Sequence, residues 1–137
     1  MLILLAMPAL AAPKCASTKA LTAQEGIFTD GSKLSADYDN GQSLCWSITP
    51  SCLDEGRVTL WFDRMEVEHR YDFVQVFDAS GRLLGKSAGT ETTYMGTGFT
   101  VWFSSDESTT DLGFTAHYAC EGIDDEGELE IIEDVEE

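Results

Sequence analysis

Short segments in which apolar and polar residues alternate one by one constrain this chain more than any other feature of its sequence. From residue 45 onward such segments follow one another, separated by turn residues such as glycine, aspartate and serine. The apolar positions that share one face of an extended strand are Val58, Leu60 and Phe62; Val74 and Val76; Phe99, Val101 and Phe103; and Phe114, Ala116 and Tyr118. Helical periodicity is absent, so the pattern predicts an all-β fold, either a sandwich or a barrel of antiparallel strands.

The length and composition of the chain are those of one packed domain. Its 137 residues match the usual size of a single domain, and 43% of them are hydrophobic, which is sufficient to fill a core. We expect a signal peptide over residues 1–11, a domain over residues 12–120, and an acidic tail or linker over residues 121–137. The abrupt start and the acidic end are also compatible with a piece of a larger modular protein.

The charge of the chain excludes some classes of partner. Eight Lys and Arg residues stand against 25 Asp and Glu residues, which gives a net charge of −17. Residues 121–137 alone contain ten of these acids and no base. Such a chain repels nucleic acid backbones and anionic lipid headgroups, so we expect neither as a partner. Cations and basic protein surfaces fit this charge better.

The apolar stretch at the N-terminus predicts a secreted, extracellular protein. Ala9, Leu10 and Ala11 form the small-x-small pattern of a secretory cleavage site before Ala12. The stretch is too short for a transmembrane helix, which needs about 20 apolar residues, and no other segment approaches that length. Because the basic residues that usually open a signal peptide are missing, we expect either a minimal signal or a signal whose start is truncated, and an N-terminal strand is the alternative interpretation.

The four cysteines, Cys15, Cys45, Cys52 and Cys120, predict two structural disulfides. They include no C-x-x-C pair, which argues against a zinc ribbon or a redox site. Four cysteines allow three pairings, and the sequence alone does not decide among them. We favour Cys15–Cys45 with Cys52–Cys120, because Cys15 precedes the first expected strand and Cys45 opens the second, while Cys52 lies in a loop and Cys120 closes the last strand.

Several short motifs follow one another in a characteristic order between Cys15 and Cys120. They include Gly26-Ile27-Phe28-Thr29-Asp30-Gly31, Cys45-Trp46-Ser47-Ile48, Val58-Thr59-Leu60-Trp61-Phe62, Tyr71-Asp72-Phe73-Val74-Gln75-Val76, Val101-Trp102-Phe103-Ser104-Ser105-Asp106 and Gly113-Phe114-Thr115-Ala116-His117-Tyr118. This order resembles the CUB domain, an extracellular all-β module. The resemblance implies a jelly-roll-like sandwich of two antiparallel sheets. Residues 69–71 form a short loop without a cysteine, so the chain looks like the short-loop form of the family.

Three acidic residues predict a calcium site. Glu68 and Asp72 flank one short loop, Asp106 follows another strand, and loops at one end of a sandwich converge. Carboxylates brought together repel one another unless a hard cation neutralises them, and Ca²⁺ takes about six to eight oxygen ligands. The resemblance implies the same ion, because the calcium-binding members of the family use positions that match Glu68, Asp72 and Asp106. The carbonyl of Ser108 is expected to be a further ligand. The alternative is that these acids are solvated or cap turns.

The resemblance also implies a function. Members of the family bind protein partners through the loops that calcium organises, and the same carboxylates accept a basic side chain, often a lysine. Here that surface is expected to include Glu68, Tyr71 and Asp72, with Trp61 and Trp102 as outward-facing aromatic contacts. We therefore expect a non-enzymatic protein-recognition module whose partner presents a lysine.

A carbohydrate-binding β-sandwich module is the alternative function. Trp61 and Trp102 both alternate with core residues, and outward-facing aromatic side chains on a sheet can bind sugar rings. Catalysis is not expected, because a small sandwich offers little room for an enclosed cleft and no nucleophile, phosphate-binding or zinc motif occurs in the sequence. His69 and His117 are expected to be ordinary surface side chains.

Overall fold

The computed structural model describes most of the chain between residues 13 and 121. The described residues are 13–30, 39–52, 57–67, 71–106, 111 and 113–121. The expected signal peptide over residues 1–11 lies outside this part of the chain, as does the expected tail apart from Glu121. Within the described ranges no helix is long and apolar enough to cross a membrane.

The described residues form nine β-strands and no helix. The strands are β1 (Ser17–Leu21), β2 (Glu25–Thr29), β3 (Ser43–Ile48), β4 (Val58–Glu66), β5 (Phe73–Asp78), β6 (Leu83–Lys86), β7 (Thr93–Gly96), β8 (Phe99–Ser104) and β9 (Gly113–Cys120). In β4 the side chains of Val58, Leu60 and Phe62 are buried, whereas Thr59 and Trp61 between them are only half-buried. The same alternation occurs in β8 and β9. The all-β prediction is confirmed.

The strands form two sheets that bury a common core between them. One sheet has five strands in the order β1-β3-β8-β5-β6, and the other has four in the order β2-β9-β4-β7. All described pairs are antiparallel except the edge pair β1–β3. That parallel pair departs from the expected purely antiparallel sheets. It is possible because the chain crosses to β2 in the other sheet before it returns to form β3.

The core between the sheets is rich in aromatic side chains, and Phe114 lies at its centre. The buried cluster consists of Phe28, Trp46, Ile48, Val58, Leu60, Phe62, Val74, Val76, Tyr94, Phe99, Val101, Phe103, Phe114, Ala116 and Tyr118. The ring of Phe114 lies 5.4 Å from Trp46, 5.6 Å from Phe103, 5.9 Å from Phe62 and 6.0 Å from Phe28, measured between centroids. Most of these contacts are edge-on, the arrangement that the charge distribution of aromatic rings favours.

Each of the two disulfides joins a strand to a segment that lies outside the strands. Cys15 is bonded to Cys45 with a Cα–Cα distance of 5.6 Å, and Cys52 is bonded to Cys120 with a Cα–Cα distance of 5.5 Å. The favoured pairing is therefore confirmed. The first bridge ties the segment before β1 to β3, and the second ties the loop after β3 to the end of β9.

Candidate functional site

Antiparallel pairing brings two of the predicted calcium ligands to the same end of the sandwich. In the register of β5 and β8, Phe73 lies opposite Ser104. Asp72 immediately precedes β5, and Asp106 lies two residues beyond the end of β8. Because neighbouring antiparallel strands place the start of one beside the end of the other, both aspartates lie at one tip of the five-stranded sheet.

A hydrogen bond joins these two residues directly. Asp72 is only 1% exposed, and its Oδ1 accepts a hydrogen bond of 2.9 Å from the backbone N–H of Asp106. A buried carboxylate is costly unless hydrogen bonds or cations satisfy it, so this contact is a built feature of the tip. The side chain of Asp106 itself is half-buried.

A third segment, residues 39–42, locks this tip in place. The N–H of Gly41 donates a hydrogen bond of 2.6 Å to the carbonyl of Asp106. Ser105 is bonded at three points: its Oγ donates to the carbonyl of Asp39, its Oγ accepts from the N–H of Gln42, and its N–H donates to the carbonyl of Gln42. The backbone around Asp106 is thus held by two neighbouring segments.

The other two predicted ligands, Glu68 and Ser108, lie outside the described residues. Within the described ranges, no group of three or more His, Cys, Asp or Glu side chains is arranged to hold a metal ion. The described part of the tip therefore supplies two of the four predicted ligands, Asp72 and Asp106.

A further aspartate at this end of the sandwich belongs, in the sequence, to the turn motif Asp30-Gly31-Ser32. Asp30 follows β2 directly and is 1% exposed. Thr29 pairs with Thr115 near the start of β9, and the neighbouring Phe114 lies 5.6 Å from Phe103 near the end of β8, so Asp30 lies at the same end of the fold as Asp72. A turn motif gives no sign of burial, because burial here depends on how the two sheets pack.

Tyr71, one of the predicted partner-binding residues, stands beside the buried aspartate. It is 58% exposed, whereas the adjacent Asp72 is 1% exposed. The tip therefore presents an aromatic side chain to solvent next to a carboxylate that is held inside.

The two predicted aromatic contacts, Trp61 and Trp102, lie on opposite outer faces of the sandwich. Trp61 is on β4 in the four-stranded sheet and Trp102 is on β8 in the five-stranded sheet, and each alternates with core residues. Both face outward, as their alternation with core residues predicts, and both are half-buried because neighbouring side chains cover part of them. The Nε1–H of Trp102 donates a hydrogen bond of 3.0 Å to Oγ of Ser43. A single carbohydrate platform that uses both tryptophans is excluded by this geometry.

His117, expected to be an ordinary surface side chain, has two specific contacts. Its imidazole stacks on the indole of Trp61 with a centroid distance of 5.3 Å and an angle of 9° between the planes. Its Nε2 also contacts the carboxylate of Asp63. Trp61 and His117 lie opposite each other in the β4–β9 register, a pairing that the two separate motifs could not reveal.

An all-β sandwich of two sheets with two disulfides is an architecture typical of extracellular proteins. Comparison with known families defines it further: the family model of the CUB domain matches residues 15–118. The chain belongs to the CUB domain family. CUB domains are protein-interaction modules of extracellular proteins and are generally non-enzymatic.

Solved structures give the same result. The CUB1-EGF-CUB2 domains of rat MASP-1 are similar with a TM-score of 0.64 and 26% identity, over 75% of this chain and 42% of that one. The full extracellular region of zebrafish Gpr126/Adgrg6 is similar with a TM-score of 0.65 and 28% identity, over 75% of this chain and 14% of that one. This chain thus spans less than half the length of either structure.

A third structure, the MASP-1 CUB2 domain bound to Ca²⁺, shares the fold. Its TM-score is 0.57 at 20% identity, over 74% of this chain and 96% of that one. No curated protein matches the chain by sequence.

Proposed function

We propose that this chain is a secreted recognition module that binds Ca²⁺ at the tip where Asp72 and Asp106 meet, and that this tip binds a basic side chain of a partner protein. One observation carries the proposal. The carboxylate of Asp72 is buried at the tip and accepts a hydrogen bond of 2.9 Å from the backbone of Asp106, so two loops distant in sequence converge on it.

The chemistry of the donor set fits calcium. Carboxylate and carbonyl oxygens are the hard ligands that Ca²⁺ prefers, and extracellular modules bind it with dissociation constants of about 10⁻⁴–10⁻³ M. Asp72 and Asp106 would hold the ion together with Glu68 and the carbonyl of Ser108. The Ca²⁺-bound CUB2 domain of MASP-1, which shares this fold, supports the same choice of metal. The bound ion would neutralise the carboxylates and join the loops.

The same residues suit a basic partner. A carboxylate that is oriented by a metal can also accept a charge-assisted hydrogen bond from an ammonium group, and that contact is lost if the metal leaves. Tyr71, 58% exposed beside Asp72, would pack against the aliphatic part of the incoming lysine. Recognition needs no bond-breaking chemistry, and we assign no catalytic role to this tip.

Calorimetric titration with Ca²⁺ tests the metal. The wild-type protein should bind with a dissociation constant in the range above, and Asp72→Asn should weaken binding at least about tenfold, since a neutral amide replaces a charged ligand. Glu91→Gln is a matched control, because Glu91 is an exposed acid in the connection between β6 and β7. A wild-type protein that binds no Ca²⁺, or equal losses in the two variants, would refute the site.

The partner surface needs a separate experiment. An immobilised lysine-containing peptide should bind the wild-type protein in Ca²⁺, and chelation should weaken that binding far more than moderate salt does. Equal sensitivity to chelator and salt would point to diffuse attraction by the acidic surface. Calcium binding without any effect on the peptide would retain the metal site and overturn its role in recognition.

A further inference from the structure

A groove of about 520 Å³ lies on the outer face of the four-stranded sheet, lined among others by Glu25, Ile27, Trp61, His117 and Ala119. The pairing of β9 with β2 and with β4 explains the shape of this groove. Ala119 lies between Glu25 on β2 and Thr59 on β4, so a methyl group occupies a position that larger side chains surround. One pair along, Ile27 lies opposite His117, and His117 lies opposite Trp61. The small side chain of Ala119 thus forms the floor of a depression between larger neighbours.

The groove is far from the tip that holds Asp72. The start of β2 and the end of β9 line it, whereas Asp72 lies at the end of the sandwich where β9 begins, because Phe103 near the end of β8 lies 5.6 Å from Phe114. The groove also lies on the four-stranded sheet, whereas Asp72 and Asp106 extend from the five-stranded one. Binding here is therefore separable from binding at the tip.

Two walls of the groove are apolar. Ile27 is 66% exposed, which is unusual for so large an aliphatic side chain on a sheet face. The indole of Trp61 is held by its stack on His117, and His117 is held in turn by the carboxylate of Asp63. An aromatic wall that is already fixed loses little conformational freedom when a ligand binds.

The charge of the groove is negative. Glu25 lines it, and the described residues that line it include no lysine or arginine. Burial raises the pKa of the Tyr118 hydroxyl, and the charge of Glu25 raises it further, so Glu25 acts on a second residue that lines the groove. Asp63 adds a second carboxylate behind His117.

We propose that this groove binds an arginine side chain of a partner protein. The aliphatic stem of arginine matches Ile27, and its planar guanidinium suits both an indole wall and a carboxylate. Lysine matches less well, because its compact ammonium is more strongly hydrated and cannot pair with a carboxylate in the same two-point geometry. A neutral sugar ring would use Trp61 but would leave the charge of Glu25 unused.

The first test uses Nα-acetyl-arginine amide as a probe, titrated into isotope-labelled protein with a calcium chelator present. Chemical shifts of the Trp61 indole N–H and of the Ala119 amide should change, while those of Asp72 and Asp106 should not. The citrulline counterpart has the same shape without the charge, and it should bind at least about tenfold more weakly because the charge-assisted bond is lost. Equal binding of the two probes would overturn the proposal.

Two variants and a control distinguish binding of the probe in the groove from general electrostatic attraction to the acidic surface. Ala119→Leu should fill the groove and Glu25→Gln should remove its charge, and each should weaken binding of the arginine probe about tenfold. Gln75→Leu places the same new side chain on the opposite outer face and should leave binding unchanged. If the NMR spectrum of Ala119→Leu is not dispersed, that variant is unfolded, and the binding measured for Glu25→Gln alone tests the proposal. Binding that survives Glu25→Gln, or tighter binding of a neutral methyl glycoside at the same amides, would refute the assignment.

Discussion

The backbone N–H of Asp106 donates a hydrogen bond of 2.9 Å to Oδ1 of Asp72, so a buried carboxylate bonds the end of β8 to the start of β5. The same backbone is bonded from the other side by Gly41, whose N–H donates to the carbonyl of Asp106. Asp72 is therefore part of the fold as well as a candidate ligand, and its two roles predict different outcomes for two substitutions.

Asp72→Ala should lower the free energy of unfolding by about 1–3 kcal/mol without calcium, because the N–H of Asp106 loses its acceptor. Asp72→Asn should cost less, since the amide oxygen can still accept that hydrogen bond. Urea unfolding of the three proteins in chelator gives these values. If added Ca²⁺ then stabilises both variants as much as the wild-type protein, Asp72 is structural and not a ligand.

Removal of the two disulfides should destabilise the domain unequally. The bridge between Cys52 and Cys120 spans a sequence separation of 68 residues and that between Cys15 and Cys45 spans 30. The entropy of the unfolded chain then gives about 4.4 and 3.6 kcal/mol, respectively. Urea unfolding of the paired Cys→Ser variants measures the difference. A larger loss from the shorter bridge would show that native contacts, rather than chain entropy, dominate.

Asp78 should make a contribution to the free energy of unfolding that is lost in acid. Its Oδ1 accepts hydrogen bonds from the N–H of Arg82, the hydroxyl of Ser80 and the N–H of Ser80, and these bonds hold the pKa of Asp78 below 3.8. A lowered pKa means that the stabilisation is present above pH 3.8 and is lost as the pH falls through the folded value. The stability difference between wild type and Asp78→Asn should therefore shrink in acid. A difference that is constant with pH would contradict this assignment.

Tyr118 should make the domain sensitive to alkali. Burial, and after it the charge of Glu25, raises the pKa of its hydroxyl above 10.0, while the hydroxyl donates a hydrogen bond of 3.0 Å to the carbonyl of Ala23. Because the folded state favours the neutral phenol, the stabilisation is present below pH 10 and is lost as the pH rises through the folded value. Absorbance of tyrosinate should show this group titrating late, and Glu25→Gln should move its titration to lower pH. An unchanged titration in that variant would disprove the coupling.

The strands could be predicted from the sequence because their signal is local. Val58, Leu60 and Phe62 alternate with polar neighbours, and that alternation alone places them on one buried face. The positions of the cysteines relative to these strands favoured the pairing that the fold adopts. The motifs between Cys15 and Cys120 likewise pointed to the family that matches residues 15–118.

The rest depends on which strand lies beside which, and no local pattern contains that information. Trp61 and Trp102 have the same alternation in sequence, yet they face away from each other because β4 and β8 belong to different sheets. His117 stacks on Trp61 only because the β4–β9 register places them opposite each other. The parallel pairing of β1 with β3 could not be predicted from the sequence for the same reason, since the alternation of apolar residues is identical in both strand directions.

The two sulfur bridges also give mechanical tension a short route through the molecule. A pull applied before Cys15 and beyond Cys120 passes through the first bridge to Cys45, along the backbone to Cys52, and through the second bridge to Cys120. Residues 16–44 and 53–119 lie outside this covalent route, so the bridges keep them from being drawn out into an extended chain. Most of both sheets is thereby shielded, and the domain should keep its shape under forces that would unravel a chain held by hydrogen bonds alone.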